Sequence, residues 1–147
     1  MQPFRIALCN EVLRELDFAR QCALAAQLGY DGLEVAPFTL SDAPHDLPPA
    51  RIAELRRMAE DAGIVVSGLH WLLIKPDGLS LTDPDQTVRL RTIDVMRRLV
   101  TLCAGLGGLG ESARGFGTLP FINADLVLKA WNSSSSRRPI SALSLTG

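Results

Sequence analysis

The chain has 147 residues, 47% of them apolar, 21% charged and 5% aromatic, and 15 Lys and Arg nearly balance 16 Asp and Glu for a net charge of −1. This is enough for one domain with a real core, and it excludes a disordered tract, a collagen-like repeat and a disulfide scaffold. Near-neutrality removes the electrostatic basis for a dedicated nucleic-acid binder, and no apolar run reaches the roughly 18 residues of a membrane span.

The first apolar run, Phe4 to Leu8, reads as a buried strand that Asn10 and Glu11 terminate. In the following segment, LDFARQCALAAQLG, residues Leu16, Ala19, Cys22, Ala23 and Ala26 recur at helical spacing, and Gly29 closes the helix. Gly32 to Pro37 is the second strand and Phe38 to Pro49 a proline-rich loop. Pro48 and Pro49 suit the opening of a second helix, whose expected inner face is Ile52, Leu55, Met58, Ala59 and Ala62, with Gly63 as its stop. Ile64 to Leu73 is the third strand and its continuation, followed by a loop around Pro76-Asp77-Gly78. Asp83-Pro84-Asp85-Gln86 opens a third helix, with Asp83 as the expected cap and Ile93, Met96, Leu99, Val100 and Cys103 as its stripe, ending at Gly107 and Gly108.

Strand and helix thus alternate, which implies parallel pairing and an α/β fold. After Gly108 the pattern breaks. A glycine-rich segment, one apolar element at Pro120 to Trp131 and a serine-rich tail follow, and the stretch beyond Asn132 is expected to be exposed, mobile or ordered only by contact with another molecule. The N-terminus mixes charges into its apolar stretch and has no signal-peptide layout. Cys9, Cys22 and Cys103 match no disulfide framework or metal spacing, read as core thiols, and point to a reducing, cytoplasmic setting.

The segment Gly29-Tyr30-Asp31-Gly32-Leu33-Glu34-Val35, with the helix before it, resembles the second strand of the xylose-isomerase-like TIM barrels. RIAELRRMAEDAGIVVSGLHWLL and DPDQTVRLRTIDVMRRLVTLCAGLGG are similar to the next units of that superfamily. The wording is nearest its sugar isomerase/epimerase branch. The implied fold is a partial (β/α)8 TIM barrel: about three parallel βα units over residues 1–108, then an atypical C-terminal segment, 109–147, read as a truncation, a shifted frame or added foreign sequence. A complete barrel takes about 250 residues.

The resemblance implies sugar or sugar-phosphate isomerisation or epimerisation, by metal-assisted proton transfer next to a carbonyl. In that family a divalent metal, Mn or Mg, is held by Glu, Asp, His and Glu of later strands, two of which also act as acid and base. None of the four has a counterpart here: beyond Gly108 the only acidic residues are Glu111 and Asp125, and there is no histidine. The chain alone is therefore expected to be inactive and to bind no metal. A self-associating fragment, pairing through sheet edges into a homo-oligomer, and an endonuclease IV-like DNA-repair protein are the alternatives.

Ligands of parallel α/β folds meet the C-terminal ends of strands, which selects Asn10, Glu34 and His70, with Trp71 placed to stack on a sugar face. Asn10 either bonds a hydroxyl or ends its strand. Glu34, set between Leu33 and Val35, needs a partner for its carboxylate. The loop trio Asp42, His45 and Asp46 and the lysine Lys75 read as capping or solvated groups, ahead of metal or phosphate binding. The GLGGLG run, 105–110, follows a helix rather than a strand and is no dinucleotide site.

Overall fold

The computed structural model describes residues 5–108. Its elements run β1 (Ala7–Cys9), α1 (Phe18–Gln27), β2 (Gly32–Val35), α2 (Pro49–Asp61), β3 (Val65–Leu69) and α3 (Gln86–Gly105), with short 3-10 turns at Asn10–Leu13, Pro37–Thr39 and Pro44–Asp46. The strands form one parallel sheet in the order β1-β2-β3. The alternating α/β architecture expected from the sequence is therefore present. The expectations for 109–147, including an element at Pro120 to Trp131, lie outside the described residues.

The three glycine-ended helices share one termination. Tyr30 N donates to Ala25 O, Ile64 N to Ala59 O and Gly108 N to Cys103 O, at 2.9–3.0 Å, while the preceding glycine donates to the carbonyl three residues back. This is the Schellman arrangement, and it needs a left-handed residue at Gly29, Gly63 and Gly107. Their φ values are 83°, 72° and 89°. The closure turns the chain straight from α1 towards β2 and from α2 into β3.

The core lies between the sheet and the helices. Leu33 and Val35 of β2 and Val66 of β3 meet Phe18, Cys22 and Ala25 of α1, Leu55 and Ala59 of α2, and Val95, Leu99 and Leu102 of α3. Alternation along β2 then turns Glu34 to the opposite face of the sheet. Between Leu33 and Glu34 the register against β3 shifts, so that Leu33 pairs with Val66 but Glu34 with Gly68. Among the described residues no helix is long and apolar enough to cross a membrane.

Two helix faces differ from expectation. On α1 the buried residues are Phe18, Gln21, Cys22 and Ala25, whereas Ala19 and Ala23 are exposed. On α3 they are Thr92, Val95, Leu99, Leu102 and Cys103, with Ile93 and Met96 only half-buried. In each case a polar residue holds a place on the inner face because its hydrogen bonds are met. Gln21 Nε2 donates to Leu16 O at 2.9 Å. The Thr92 hydroxyl donates to Val88 O at 2.8 Å and accepts from Ser80 N at 2.9 Å. The cap of α3 is Asp85, which accepts from Thr87 N at 2.8 Å. Asp83 instead accepts from Asp85 N at 2.9 Å and shapes the turn before it.

Cys22 and Cys103 are buried free thiols, as expected. Burial pushes both from 9.0 up to about 11, against weaker opposing hydrogen bonds to backbone. A folded-state value raised above the unfolded one gives stability that is full below the unfolded value and lost as pH rises through the folded one. The unfolding free energy is therefore expected to fall between pH 9 and about 11. Urea titrations across that window check this, and a Cys22→Ala, Cys103→Ala double variant should lessen the slope without abolishing it, because Cys9 is raised over the same window.

Candidate functional site

The C-terminal ends of the three strands converge on one cluster. Cys9 ends β1 and pairs in register with Glu34 of β2, and His70 follows directly on β3. His70 is fixed there by its own backbone, whose N–H donates to Val35 O at 3.1 Å. Thus each strand delivers one side chain, and one donor atom from each of Cys9, Glu34 and His70 lies within 4.8 Å of the others.

The hydrogen bonding inside the cluster is directional. Cys9 Sγ donates to Glu34 Oε2 at 3.4 Å. Burial first, and then this hydrogen bond and the Glu34 and Glu11 charges, push the Cys9 thiol from 9.0 up to about 11. At neutral pH it is a protonated donor. His70 Nε2 lies 3.2 Å from Glu11 Oε2. A carboxylate only accepts, so the tautomer that donates from Nε2 to Glu11 leaves Nδ1 with a bare lone pair. That Nδ1 is buried, has no hydrogen-bond partner, and stands 3.8 Å from Glu34 Oε2, beyond hydrogen-bond range. Glu34 thus has a thiol donor on one side, and the imidazole, its proton directed away, on the other.

Of the residues selected from sequence, Glu34 and His70 are in this cluster and Trp71 borders it. Trp71 is 59% exposed and adopts φ 54°. A bulky residue in the left-handed region is costly, and such conformations concentrate at functional sites. Asn10 lies elsewhere. It is 0% exposed, and its amide is consumed by the protein: Nδ2 donates to Thr39 Oγ1 at 2.8 Å and Gln21 Oε1 at 3.1 Å, and Oδ1 accepts from Ala36 N at 2.7 Å. Its groups are committed to joining β1, α1 and the loop after β2.

Two site residues escaped the sequence reading. Cys9 is half-buried and in contact with Glu34, unlike the two core thiols. Glu11 holds the imidazole. Strand alternation carries the signal for Cys9, since a side chain facing opposite to Leu8 shares the face of Glu34. The other candidates lie apart from the cluster: half-exposed Lys75 pairs through Nζ with Asp77 at 3.1 Å, and the largely buried His45 lies 3.3 Å from Asp46, which also binds Arg98 at 2.8 Å. His45 lines a cleft of about 380 Å³ between the 44–49 loop and α3 that shares no residue with the cluster.

The Mn2+ or Mg2+ implied by the resemblance does not fit this donor set. Those hard ions take oxygen ligands and keep much of their water, whereas a thiol sulfur and an imidazole occupy two of the three positions here.

No curated protein matches the chain in sequence. Among solved structures, a D-psicose 3-epimerase crystallised in the presence of D-fructose is similar, with TM-score 0.54 and 21% identity over 71% of this chain and 35% of that one. The chain thus spans about a third of the length of that epimerase, and the likeness is one of fold. The sequence profile that matches residues 22–110 describes the helix-and-strand units just analysed. This chain belongs to the xylose isomerase-like TIM barrel family.

Proposed function

We propose that the strand-end face bearing Glu34, His70 and Trp71 binds a small polyhydroxylated sugar, as part of an isomerase- or epimerase-like barrel. The observation that supports this reading most is the convergence of Cys9, Glu34 and His70 from three successive parallel strands beside an exposed tryptophan. In folds of this kind substrates meet that end of the sheet. Glu34 accepts hydrogen bonds from sugar hydroxyls, and Trp71 offers an apolar ring to a sugar face. Glu11 keeps the ring of His70 in one orientation.

Proton transfer next to a carbonyl also needs an acid and base pair and a group that polarises the oxygens. The family's divalent metal supplies the last of these. Because its four ligands have no counterpart in this sequence, the chain alone is expected to bind sugar without turning it over. A ketohexose panel, titrated against the full chain by calorimetry and assayed with added Mn2+, tests both halves. Saturable binding is expected, weakened about tenfold in Glu34→Gln and in Trp71→Ala, as for the loss of one interaction of about 1.4 kcal/mol. Absence of binding, or binding indifferent to both substitutions, overturns the sugar reading. Clear epimerisation overturns the expectation of inactivity.

A further inference from the structure

We propose that Cys9, Glu34 and His70 form a three-ligand site for a borderline transition-metal ion, Zn2+ above others, with Glu11 as the outer partner that fixes the imidazole. This goes beyond the sugar reading and does not depend on it.

The first support is donor chemistry. Sulfur, imidazole nitrogen and carboxylate oxygen are the three donor types zinc uses, and the thiol and imidazole together disfavour Mg2+, Ca2+ and Mn2+. The second is spacing. Tetrahedral zinc with bonds of about 2.0–2.3 Å sets its ligand atoms about 3.3–3.6 Å apart. Cys9 Sγ and Glu34 Oε2 are already 3.4 Å apart, and His70 Nδ1 is 3.8 Å from the same oxygen. Two edges of the triangle are thus within a few tenths of an ångström of that spacing, and the third, Cys9 to His70, is within 4.8 Å.

The third support is the buried lone pair. A buried imidazole nitrogen with no partner is costly, and here it is the nitrogen beside the Glu34 carboxylate, 3.8 Å away. The opposite nitrogen is held by Glu11 at 3.2 Å. A carboxylate behind the imidazole is the usual outer arrangement of a zinc-bound histidine, and it raises the basicity of the ligating nitrogen. Three protein ligands leave a fourth position open. Beside Glu34 on β3, in register with it, stands Gly68, where a side chain would meet nothing within 4 Å.

The test uses the full chain, reduced and freed of metal, titrated with CoCl2 and then ZnCl2. The expected result is a near-ultraviolet sulfur-to-cobalt charge-transfer band that saturates at one equivalent and is displaced by zinc. Cys9→Ser should abolish it, Cys22→Ala should keep it, and Glu11→Gln should weaken cobalt and zinc affinity by about 10–100-fold. Should Cys9→Ser fail to fold, alkylation of the unmodified chain decides. Mass mapping is then expected to show Cys9 protected by ZnCl2 and released by a chelator. A missing band, a band that survives in Cys9→Ser, or alkylation of Cys9 at one rate with and without zinc overturns the proposal. Sugar binding can fail while the cobalt band appears, so the two readings fall separately.

Discussion

Replacing Asn10 with alanine is expected to lower the unfolding free energy by about 3 kcal/mol, the sum of two or more buried polar groups left without partners at about 1–3 kcal/mol each. The side chain is a hub with no exposed surface. Its loss strands the Ala36 N–H and the Gln21 Oε1, and takes one of its hydrogen bonds from the Thr39 hydroxyl. Gln21 also donates to Leu13 O and Leu16 O, so disturbance spreads into the segment between β1 and α1. Urea denaturation should show the loss as a lower midpoint at unchanged slope, with Tm reduced by roughly 10 °C for a chain of this size. A loss below about 1 kcal/mol would show that water replaces the amide and that the hub contributes little.

Leu33→Ala is expected to cost as much or more, about 2–5 kcal/mol, from lost transfer free energy plus the cavity left behind. Leu33 is 0% exposed on the central strand, flanked in register by Leu8 of β1 and Val66 of β3. The neighbours are backbone-paired on both sides and cannot collapse far into the space, which favours the upper part of the range. Leu28, 61% exposed at the end of α1, is the matched comparison. Its alanine variant should stay within about 0.5 kcal/mol. Equal effects at the two leucines, measured by the same urea titrations, would mean that the core is not where the packing places it.

Much of the fold was legible because its signals are local. The Gly-ended helices, Pro49 at the start of α2 and the short apolar strands all depend on residues within a turn of each other. Helix phase was harder. In α1 the alanines carry little hydrophobic signal, so Phe18 sets the inward face, and Gln21 joins it through hydrogen bonds invisible to a pattern of apolar spacing. In α3, Thr92 hides the same way. The site was legible only where one rule sufficed: Glu34 and His70 stand at strand ends. Distinguishing Cys9 from Asn10 required knowing which of two adjacent residues faces the cluster and which the core. That depends on sheet register between residues 25 and 26 positions apart in the chain.

Asn10 also separates two site residues, Cys9 before it and Glu11 after it, and its three hydrogen bonds reach α1, Thr39 and Ala36. The backbone that carries Cys9 and Glu11 is thus held at its midpoint by the core, while the side chains on either side emerge at the strand-end face. Preorganisation follows from this. The conformational entropy of placing a thiol opposite Glu34 and a carboxylate behind His70 is lost when the chain folds, so a ligand arriving later meets donors that have already given up that freedom.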